Sequence, residues 1–483
     1  MTSIAEPPTL ESIRQRLEAI GQGHLLAFAD DLNDNGRRRL AEQLAAIDLE
    51  RVPQLAAYAL GQDSHDAVPS QLEPAPYYPA NPTSPAREWN REQYRLAGEA
   101  LIRAGKVAAF TVAGGQGSRL GFDGPKGCYP AGAVTGKSLF QMLAEQVKAA
   151  GAKYGVMIPW RLMTSPLNHE PTIAFFKDNN FFGLDPKQVG FFQQGVLPSF
   201  DDSSGKMLLA NKDEPATNPD GHGGSLKALY ASSAVDELQS MGVEHLSYTQ
   251  IDNPLVRMID PVFIGLHAAA PDSSSEMSSK MIAKTDAAEK VGVFCTADGR
   301  VRVIEYSDLP DELANERDDR GELRFNAGSP AIHVISLDFV RRLNESPEGF
   351  ALPLHRAHKK VSHLDIETGE LFEPEQPNAI KLETFVFDAI PMCEQSIVLE
   401  TDRFEFAPIK NAKGKDSPAT SYALQTERAA QWLEAAGIRV PRKADGAADC
   451  VIELSPLAAI DESDLKTAQL PDAISSGDTL AIE

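Results

Sequence analysis

The chain has 483 residues, and at about 150 residues per domain this length predicts several packed units rather than one small core. Its 46 Lys and Arg residues against 69 Asp and Glu residues leave a net charge of −23, which repels polyanions and excludes a general binder of nucleic acid or of anionic membranes. The apolar fraction of 42% is that of a globular protein, and no apolar run approaches the roughly 18 residues needed to span a bilayer.

Periodicity predicts a helical region at the start of the chain. Thr9 is placed to cap a helix, and amphipathic stretches follow up to about residue 58. Apolar residues of the first helix recur at helical spacing, at Leu10, Ile13, Leu17 and Ile20. Because residues 1–20 lack a cationic segment followed by an apolar core, we interpret them as a helix of a cytoplasmic protein. The four cysteines include no C-x-x-C pair, which also favours a reducing compartment.

Prolines predict an extended connector after this region, because each one fixes φ and lacks a backbone donor. They stand at positions 69, 74, 76, 79, 82 and 85, and helix resumes at Glu88. A domain boundary is therefore predicted between residues 65 and 100.

Short apolar runs alternate with helical stretches beyond the connector, which predicts an α/β sheet. The runs include VAAFTV, EHLSYTQI, VGVFC, VRVIEY and AIHVIS. We predict three domains: a helical N-terminal region with the connector at 1–100, a central α/β domain at 101–400 and a small α+β domain at 401–483.

The segment with the clearest chemistry is VAAFTVAGGQGSRLGFDGPKG, residues 107–127. A strand-like run leads there into three glycines and two cations, namely Gly114, Gly115, Gly117, Arg119 and Lys126. Glycines permit positive φ and let backbone N–H groups approach phosphate oxygens or a base closely. The pattern predicts a nucleotide site where a strand passes into a loop.

Two other nucleotide motifs fit this sequence less well. The dinucleotide fingerprint needs a glycine three residues after Gly117, but Leu120 stands there, which disfavours an NAD-dependent oxidoreductase. The GKS at residues 136–138 imitates the end of a P-loop, yet Ala131 replaces the first glycine of that motif. We favour a loop and N-cap that open a helix from Leu139.

The glycine loop resembles the G-G-x-G-S-R-L-G…P-K-G motif of the eukaryote-type UDP-sugar pyrophosphorylases, and most of all their UDP-N-acetylhexosamine pyrophosphorylase branch. Further segments resemble that branch in the same order, at residues 159–176, 179–200, 219–224, 250–265, 291–309, 378–388 and 405–412. The resemblance implies a Rossmann-like (GT-A-like) nucleotidyltransferase fold, in which helices flank a central mixed sheet and residues 101–400 form the catalytic domain. It also implies transfer of the uridylyl group of UTP to a sugar 1-phosphate, with Mg²⁺ or Mn²⁺ as cofactor.

Two polar residues follow strand-like runs. A carboxylate at the carboxyl end of a strand, such as Asp252, suits a divalent cation that bridges phosphates, although an Asp that caps a turn is a common alternative. Gln194 offers the amide donor and acceptor that uracil needs, although a solvent-facing Gln is the ordinary alternative. The resemblance places the metal on Asp252 and the nucleotide against Ala113, Gly114, Gly115, Gly117, Met163, Gln194, Gly221 and Asp252.

The sugar site is assigned by the same resemblance, to Gly292, Glu305, Tyr306, Phe385 and Phe387. Phe385 and Phe387 stand two apart, which predicts one face of a strand, with plain core aromatics as the alternative. At two further positions near the expected sugar this sequence departs from its branch. His222 and Ser329 replace the asparagines of P-D-G-N-G-G and F-N-A-G-N, and His222 matches the G-H-G of the UDP-glucose branch.

The resemblance makes Arg119, Lys126 and Lys410 the catalytic cations, although a lone Lys such as Lys410 is usually solvated. The predicted reaction joins UTP and N-acetylglucosamine 1-phosphate; a UTP–glucose-1-phosphate uridylyltransferase or a broad UDP-sugar pyrophosphorylase is the alternative. A nucleotide sensor without turnover would be expected to lack Arg119, Lys126 or Asp252, and all three are present. The sequence predicts small-molecule substrates, neither nucleic acid nor membrane as partner, and no particular oligomeric state.

Overall fold

A computed structural model describes residues 9–61, 69, 71–347 and 349–483. Residues 1–8 of the predicted first helix, and residues 62–68 and 70 at the start of the connector, lie outside the described residues. Thr9 caps the first helix, because its hydroxyl accepts a hydrogen bond from the N–H of Ser12 at 3.2 Å.

The α-helices of the described residues are α1 (Leu10–Ala19), α2 (Asp34–Ala46), α3 (Val52–Ala59), α4 (Arg91–Arg103), α5 (Leu139–Tyr154), α6 (His169–Asp178), α7 (Gly224–Ala231), α8 (Ala234–Ser240), α9 (Pro261–Ala269), α10 (Asp311–Asn315), α11 (Leu337–Asn344) and α12 (Pro418–Ala435). Helices α1 to α3 lie in the region at the start of the chain that was predicted to be helical, whereas residues 23–31 of that region form two short 3-10 helices. Ser138 caps α5 through its side chain, which accepts from the N–H of Gln141. Among the described residues, no helix combines the length and apolarity needed to cross a membrane.

The strands are short. Those of the described residues are β1 (Glu73–Pro74), β2 (Val107–Val112), β3 (Trp160–Thr164), β4 (Val189–Gln193), β5 (Val196–Pro198), β6 (Phe200–Asp201), β7 (Leu209–Asn211), β8 (Glu214–Pro215), β9 (Thr217–Pro219), β10 (His245–Gln250), β11 (Met277–Ala283), β12 (Val293–Ala297), β13 (Arg300–Ile304), β14 (Ala327–Gly328), β15 (His333–Ser336), β16 (His355–Lys359), β17 (His363–Leu364), β18 (Leu371–Phe372), β19 (Ala379–Glu383), β20 (Val398–Glu400), β21 (Val451–Leu454) and β22 (Thr479–Ile482).

Eleven strands form one mixed sheet, in the order β1-β12-β14-β11-β15-β10-β2-β3-β4, with β13 beside β12 and β20 beside β11. The strands β10, β2, β3 and β4 are parallel, and Val112 of β2 faces Gln250 of β10 on one side and Met163 of β3 on the other. From β2 the chain adds β3 and β4 on one side and later β10 on the other, so the strand order reverses at β2. Open α/β sheets bind ligands at such reversals. The mixed sheet with its helices confirms the predicted fold class.

The chain divides into two compact units. The larger comprises residues 68–194, 225–351 and 387–483, and the smaller comprises residues 1–67, 195–224 and 352–386. The eleven-stranded sheet lies in the larger unit. In the smaller one, α1 to α3 share an apolar core with distant segments, as the buried Leu17, Leu40, Phe200 and Leu382 show. The division into three domains at residues 100 and 400 stays a prediction.

Helices α4 and α9 of the larger unit cross at a pair of glycines. A Cβ atom on Gly98 would lie 1.8 Å from the carbonyl oxygen of Pro261, and one on Gly265 would lie 1.8 Å from that of Tyr94. Real Cβ atoms do not approach another heavy atom so closely, so only glycine fits. The two backbones therefore meet with no side chain between them.

Candidate active site

Four parallel strands end side by side at one edge of the central sheet: β2 at Val112, β3 at Thr164, β4 at Gln193 and β10 at Gln250. The predicted nucleotide-site residues of the larger unit lie at these ends or in the loops just beyond them, from Ala113 to Lys126 and at Met163, Gln194 and Asp252. The parallel register thus gathers residues that are far apart in the sequence.

Space, rather than backbone conformation, favours glycine at positions 114 and 117 of the loop after β2. Gly114, Gly115 and Gly117 do not adopt the positive φ that glycine permits. A Cβ atom on Gly114 would lie 2.4 Å from Oε1 of Gln194, and one on Gly117 would lie 2.7 Å from the ring of Phe122. A Cβ atom on Gly115 would meet no described atom within 4 Å, so the loop is open on that side.

The same loop has three consecutive unused donors. Among the described residues, the N–H groups of Gly114, Gly115 and Gln116 donate to no protein acceptor, whereas that of Gly117 donates to the carbonyl of Gly124 at 2.9 Å. Consecutive backbone N–H groups of this kind form concavities that bind anions. The arrangement suits phosphate oxygens.

Lys126 connects this loop with the end of β10. Its N–H donates to the carbonyl of Gly115 at 3.0 Å, and its ammonium lies 3.5 Å from Oδ2 of Asp252. The side chains of Lys126 and Asp252 are only 15% and 13% exposed. Arg119, in the short helix Ser118–Leu120, is exposed. The structure thus brings Lys126 and Asp252 together and leaves Arg119 on the surface.

Met163 and Gln194 lie beside the glycine loop. Buried Met163 accepts the N–H of Ala113 through its carbonyl at 2.8 Å, and a Cβ atom on Gly114 would lie 3.4 Å from its Cε. The N–H of Gln194 donates to the carbonyl of Thr164 at 2.8 Å, which fixes the residue at the end of β4. The amide of buried Gln194 therefore packs against the backbone of Gly114.

The loop that carries Asp252 is hydrogen-bonded to the segment that leads to the predicted Lys410. The carbonyl of Asp252 accepts from the N–H of Ile409 at 2.8 Å. The buried amide of Asn253 donates to the carbonyl of Glu405 at 2.7 Å, and it accepts a hydrogen bond from the N–H of Ala407 at 3.1 Å. Three hydrogen bonds thus hold the two chain segments together.

A buried ion network lies behind this contact. Lys280 of β11 donates to both carboxylate oxygens of Glu405 at 2.6 and 2.8 Å, and it lies 2.8 Å from Oδ2 of Asp260. Burial alone would raise the pKa of Asp260, but Arg257 and Lys280 hold it below its ordinary value. Sequence reasoning missed Asn253, Glu405 and Lys280. The signal was weak, because a turn explains Asn253 and nothing local pairs the other two.

Lys410 lies in a closed turn. Its N–H donates to the carbonyl of Asp416 at 2.7 Å, and its ammonium lies 4.0 Å from the carboxylate of Asp416 and 5.1 Å from the ring centre of Phe406. The side chain is 35% exposed. Lys410 therefore has a fixed backbone and a side chain that water still reaches.

Three residues predicted for the sugar lie together in the larger unit. The N–H of Ser329 donates to the carbonyl of Gly292 at 2.8 Å, and a Cβ atom on Gly292 would lie 3.3 Å from Oε1 of Glu305. Tyr306 is 47% exposed. The structure thus groups Gly292, Glu305 and Ser329 and places Tyr306 on the surface.

Gly221, His222 and Phe385 belong to the smaller unit. The ring of Phe385 stacks on His222 at 5.3 Å and on His355 at 4.3 Å between centres. Nδ1 of His222 accepts the N–H of Val386 at 3.1 Å, so Nε2 carries the proton of the neutral ring. Burial lowers the pKa of His222 to about 4, and the nearby His355 adds to this effect. Gly221 has a φ of 86°, which favours glycine.

Phe385 and Phe387 do not share a strand face, so that prediction is wrong. Strand β19 ends two residues before Phe385, and a short helix begins at the residue after it. The cause is Thr384, whose N–H donates to the carbonyl of Asp220 at 2.8 Å and whose carbonyl accepts the N–H of Gly223 at 2.9 Å. The chain pairs with this glycine-rich turn instead of continuing the strand. Phe387 is buried and belongs to the larger unit.

Comparison with known proteins places this arrangement in a family. A family model described as UTP–glucose-1-phosphate uridylyltransferase matches residues 83–475. The chain belongs to this family. Among curated members, human UDP-N-acetylhexosamine pyrophosphorylase-like protein 1 is 36% identical over 478 residues, which cover 93% of this chain and 92% of that protein. The UDP-N-acetylglucosamine pyrophosphorylase of Saccharomyces cerevisiae is 35% identical over 436 residues, which cover 86% of this chain and 90% of that protein.

A solved structure has the same fold. The uridine diphosphate N-acetylglucosamine pyrophosphorylase of Trypanosoma brucei, solved in complex with an inhibitor, superposes with a TM-score of 0.80 at 27% identity and covers 98% of each chain. This similarity extends over nearly the whole chain, including both units.

A divalent cation fits Asp252 only together with a ligand. Within the part of the chain that the structure describes, no three His, Cys, Asp or Glu side chains lie close enough to hold a metal ion by themselves. Mg²⁺ usually binds through one or two carboxylates and substrate phosphates, and it retains several waters. One carboxylate beside a loop of unused N–H groups therefore suits a cation that arrives with nucleotide phosphates.

Proposed function

We propose that this uridylyltransferase-family chain makes UDP-N-acetylglucosamine and pyrophosphate from UTP and N-acetylglucosamine 1-phosphate. The observation that carries the proposal is the loop of unused N–H groups at residues 114–116, which lies beside the Lys126–Asp252 pair at the carboxyl edge of the sheet. A triphosphate needs such donors and cations. The names of the yeast and trypanosome relatives support the choice of sugar.

In this reaction, an oxygen of the sugar phosphate attacks the α-phosphorus of UTP in line, and pyrophosphate leaves without a covalent enzyme intermediate. Catalysis then depends on positioning and on neutralising charge. The N–H groups of residues 114–116 bind the nucleotide, and Arg119, Lys126 and Lys410 supply positive charge. Mg²⁺ or Mn²⁺, held by Asp252, would neutralise further phosphate charge when bound.

The base is read by Gln194 together with the backbone of Gly114. A Cβ atom on Gly114 would lie 2.4 Å from Oε1 of Gln194, so the amide lies close to the loop backbone. We expect this narrow site to favour a pyrimidine over a purine. Cytosine reverses the donor and acceptor pattern at its exocyclic position and ring nitrogen, so the amide of Gln194 discriminates against it. This geometry supports UTP as the nucleotide.

A second candidate is a UTP–glucose-1-phosphate uridylyltransferase, and His222 is the observation that favours it. In its neutral form this residue accepts the N–H of Val386 through Nδ1, so its Nε2–H can donate but not accept, whereas the asparagine of the N-acetylhexosamine branch both donates and accepts. Ser329 also replaces an amide. We therefore expect relaxed use of glucose 1-phosphate beside the N-acetylated sugar.

A substrate panel tests the proposal. Pyrophosphate release is measured with UTP and N-acetylglucosamine 1-phosphate, N-acetylgalactosamine 1-phosphate or glucose 1-phosphate. We expect the highest kcat/KM with N-acetylglucosamine 1-phosphate. A tenfold or larger preference for glucose 1-phosphate selects the second candidate, and no release of pyrophosphate with any sugar 1-phosphate overturns both.

The four free cysteines support the cytoplasm as the compartment.

A further inference from the structure

Two carbonyl groups of the glycine loop accept hydrogen bonds from a single buried side chain, that of Asn168. This residue precedes α6 and is 0% exposed. Its Nδ2 donates to the carbonyl of Ala113 at 2.9 Å and to the carbonyl of Gly115 at 3.2 Å. Asn168 itself is not one of the residues assigned above to the nucleotide, the sugar or catalysis.

The orientation of this amide is fixed by its other partners. Oδ1 of Asn168 accepts from the N–H of Ser165 at 2.7 Å and from its hydroxyl at 3.0 Å. An asparagine amide has two donor hydrogens and one oxygen with two acceptor positions, so the four contacts use its full capacity. A flipped amide would place Oδ1 against two carbonyl oxygens. The NH₂ group therefore always faces the loop.

Holding the carbonyl groups also aims the N–H groups. In a trans peptide the C=O and the following N–H point in opposite directions. The carbonyls of Ala113 and Gly115 are held toward Asn168, so the N–H groups of Gly114 and Gln116 point away from it. These are two of the three donors that use no protein acceptor. Rotation of either peptide would turn a carbonyl oxygen, which repels phosphate, toward that side.

We infer that Asn168 is a positioning residue for UTP: it fixes the peptide planes of the glycine loop so that the N–H groups of Gly114 and Gln116 meet the nucleotide. The Gly115 carbonyl also accepts the N–H of Lys126 at 3.0 Å, so Asn168 and the candidate catalytic lysine share one acceptor. The inference rests on the proposed function, because it concerns the binding of the same substrate. It assigns Asn168 to nucleotide affinity and not to the sugar.

The test compares Asn168→Ala with Asn344→Ala. Asn344 is a matched control in α11, because its Nδ2 also donates to two backbone carbonyls, those of Val340 at 2.8 Å and Leu226 at 3.3 Å. UTP affinity is measured by calorimetry, kcat and KM by pyrophosphate release, and folding by circular dichroism. For Asn168→Ala we expect the Kd and KM for UTP to rise about tenfold or more, with the KM for the sugar phosphate within about twofold of wild type. Asn344→Ala should lower the melting temperature at most, and its Kd and KM for UTP should match those of wild type.

Asn168→Asp gives a readout that a merely structural role would not move. At high pH its carboxylate faces two carbonyl oxygens, and on protonation it regains one donor. Relative to wild type, UTP affinity of this variant should improve as the pH falls from about 8 to 6, because burial raises the pKa of a carboxyl group. This variant keeps the side-chain volume and serves as the test if Asn168→Ala fails to fold.

Two results would overturn the inference. One is a UTP Kd of folded Asn168→Ala within about threefold of wild type. The other is an Asn168→Asp variant whose UTP affinity follows the same pH profile as wild type. Failure of the proposed function is distinguishable, because it appears as wild-type protein that binds UTP but releases no pyrophosphate with any sugar 1-phosphate.

Discussion

Replacing Lys126 with methionine removes one charge and keeps an unbranched side chain of similar length. The ammonium lies 3.5 Å from the Asp252 carboxylate, and both side chains are largely buried. At this distance the attraction between unit charges is about 5 kcal/mol at an effective dielectric constant near 20 and about 1 kcal/mol in bulk water. The lysine is thus fixed in place before a phosphate arrives, which is what electrostatic catalysis requires.

Loss of this preorganised charge should cost about 3 kcal/mol of transition-state stabilisation, so we expect kcat of Lys126→Met to fall at least about a hundredfold. The same change frees Asp252 from its counter-ion, so the divalent cation should bind the variant more tightly than it binds wild type. Pyrophosphate release at saturating substrates measures the first effect, and Mg²⁺ titration of the UTP complex measures the second. Lys187→Met, at an exposed position, is the control. A kcat of Lys126→Met within tenfold of wild type would refute the reasoning.

Four further outcomes are expected. Asp252→Asn should lose most activity at any Mg²⁺ concentration, because an amide is a poorer ligand for a hard cation than a carboxylate. Wild type should lose activity in excess EDTA, and full activity there would contradict a role for the metal. The kcat/KM for UTP should be higher than that for ATP, GTP or CTP, and Gln194→Ala should reduce this preference. Equal kcat/KM for ATP and UTP in wild type would contradict base reading by Gln194. His222→Asn should shift the kcat/KM ratio toward the N-acetylated sugar. Because burial lowers the pKa of His222 to about 4, the ring should stay neutral from about pH 5.5 to 8, and the wild-type kcat/KM ratio of the two sugars should be constant over that range. A ratio that changes near pH 6.5 would contradict the neutral ring. Gly265→Ala should destabilise the protein by about 3 kcal/mol, since its Cβ atom would lie 1.8 Å from the Tyr94 carbonyl; an unchanged melting temperature in calorimetry argues against the close crossing.

Much of the nucleotide side could be predicted because local rules govern it. Apolar runs of strand length indicated β2 and β10, and loops at the carboxyl ends of neighbouring parallel strands meet at one edge. That rule explains why Lys126 and Asp252, 126 residues apart, lie side by side. The glycine pattern similarly predicted a close approach of backbone to another group.

Contacts between distant segments were beyond prediction. Asn253 finds its partner in Glu405, 152 residues away, and no local pattern pairs them. The strand predicted through Phe385 and Phe387 was wrong for a similar reason, because Thr384 pairs with a turn from near residue 220. Likewise, the helices before residue 60 gave no sign that their core includes residues near 200 and 380. Periodicity describes one element at a time, whereas these pairings depend on the whole topology.

The bonds between the Asp252 loop and the Glu405–Ile409 segment have a consequence for motion. Asp252 and the residue before Lys410 share a backbone hydrogen bond, and the side chain of Asn253 adds two more. A displacement that parted Lys410 from Asp252 would have to break all three bonds and expose buried polar groups. The loop that carries the Asp252 carboxylate and the backbone of Lys410 therefore move together. Any hinge that opens the enzyme to let product out must lie outside this pair of segments.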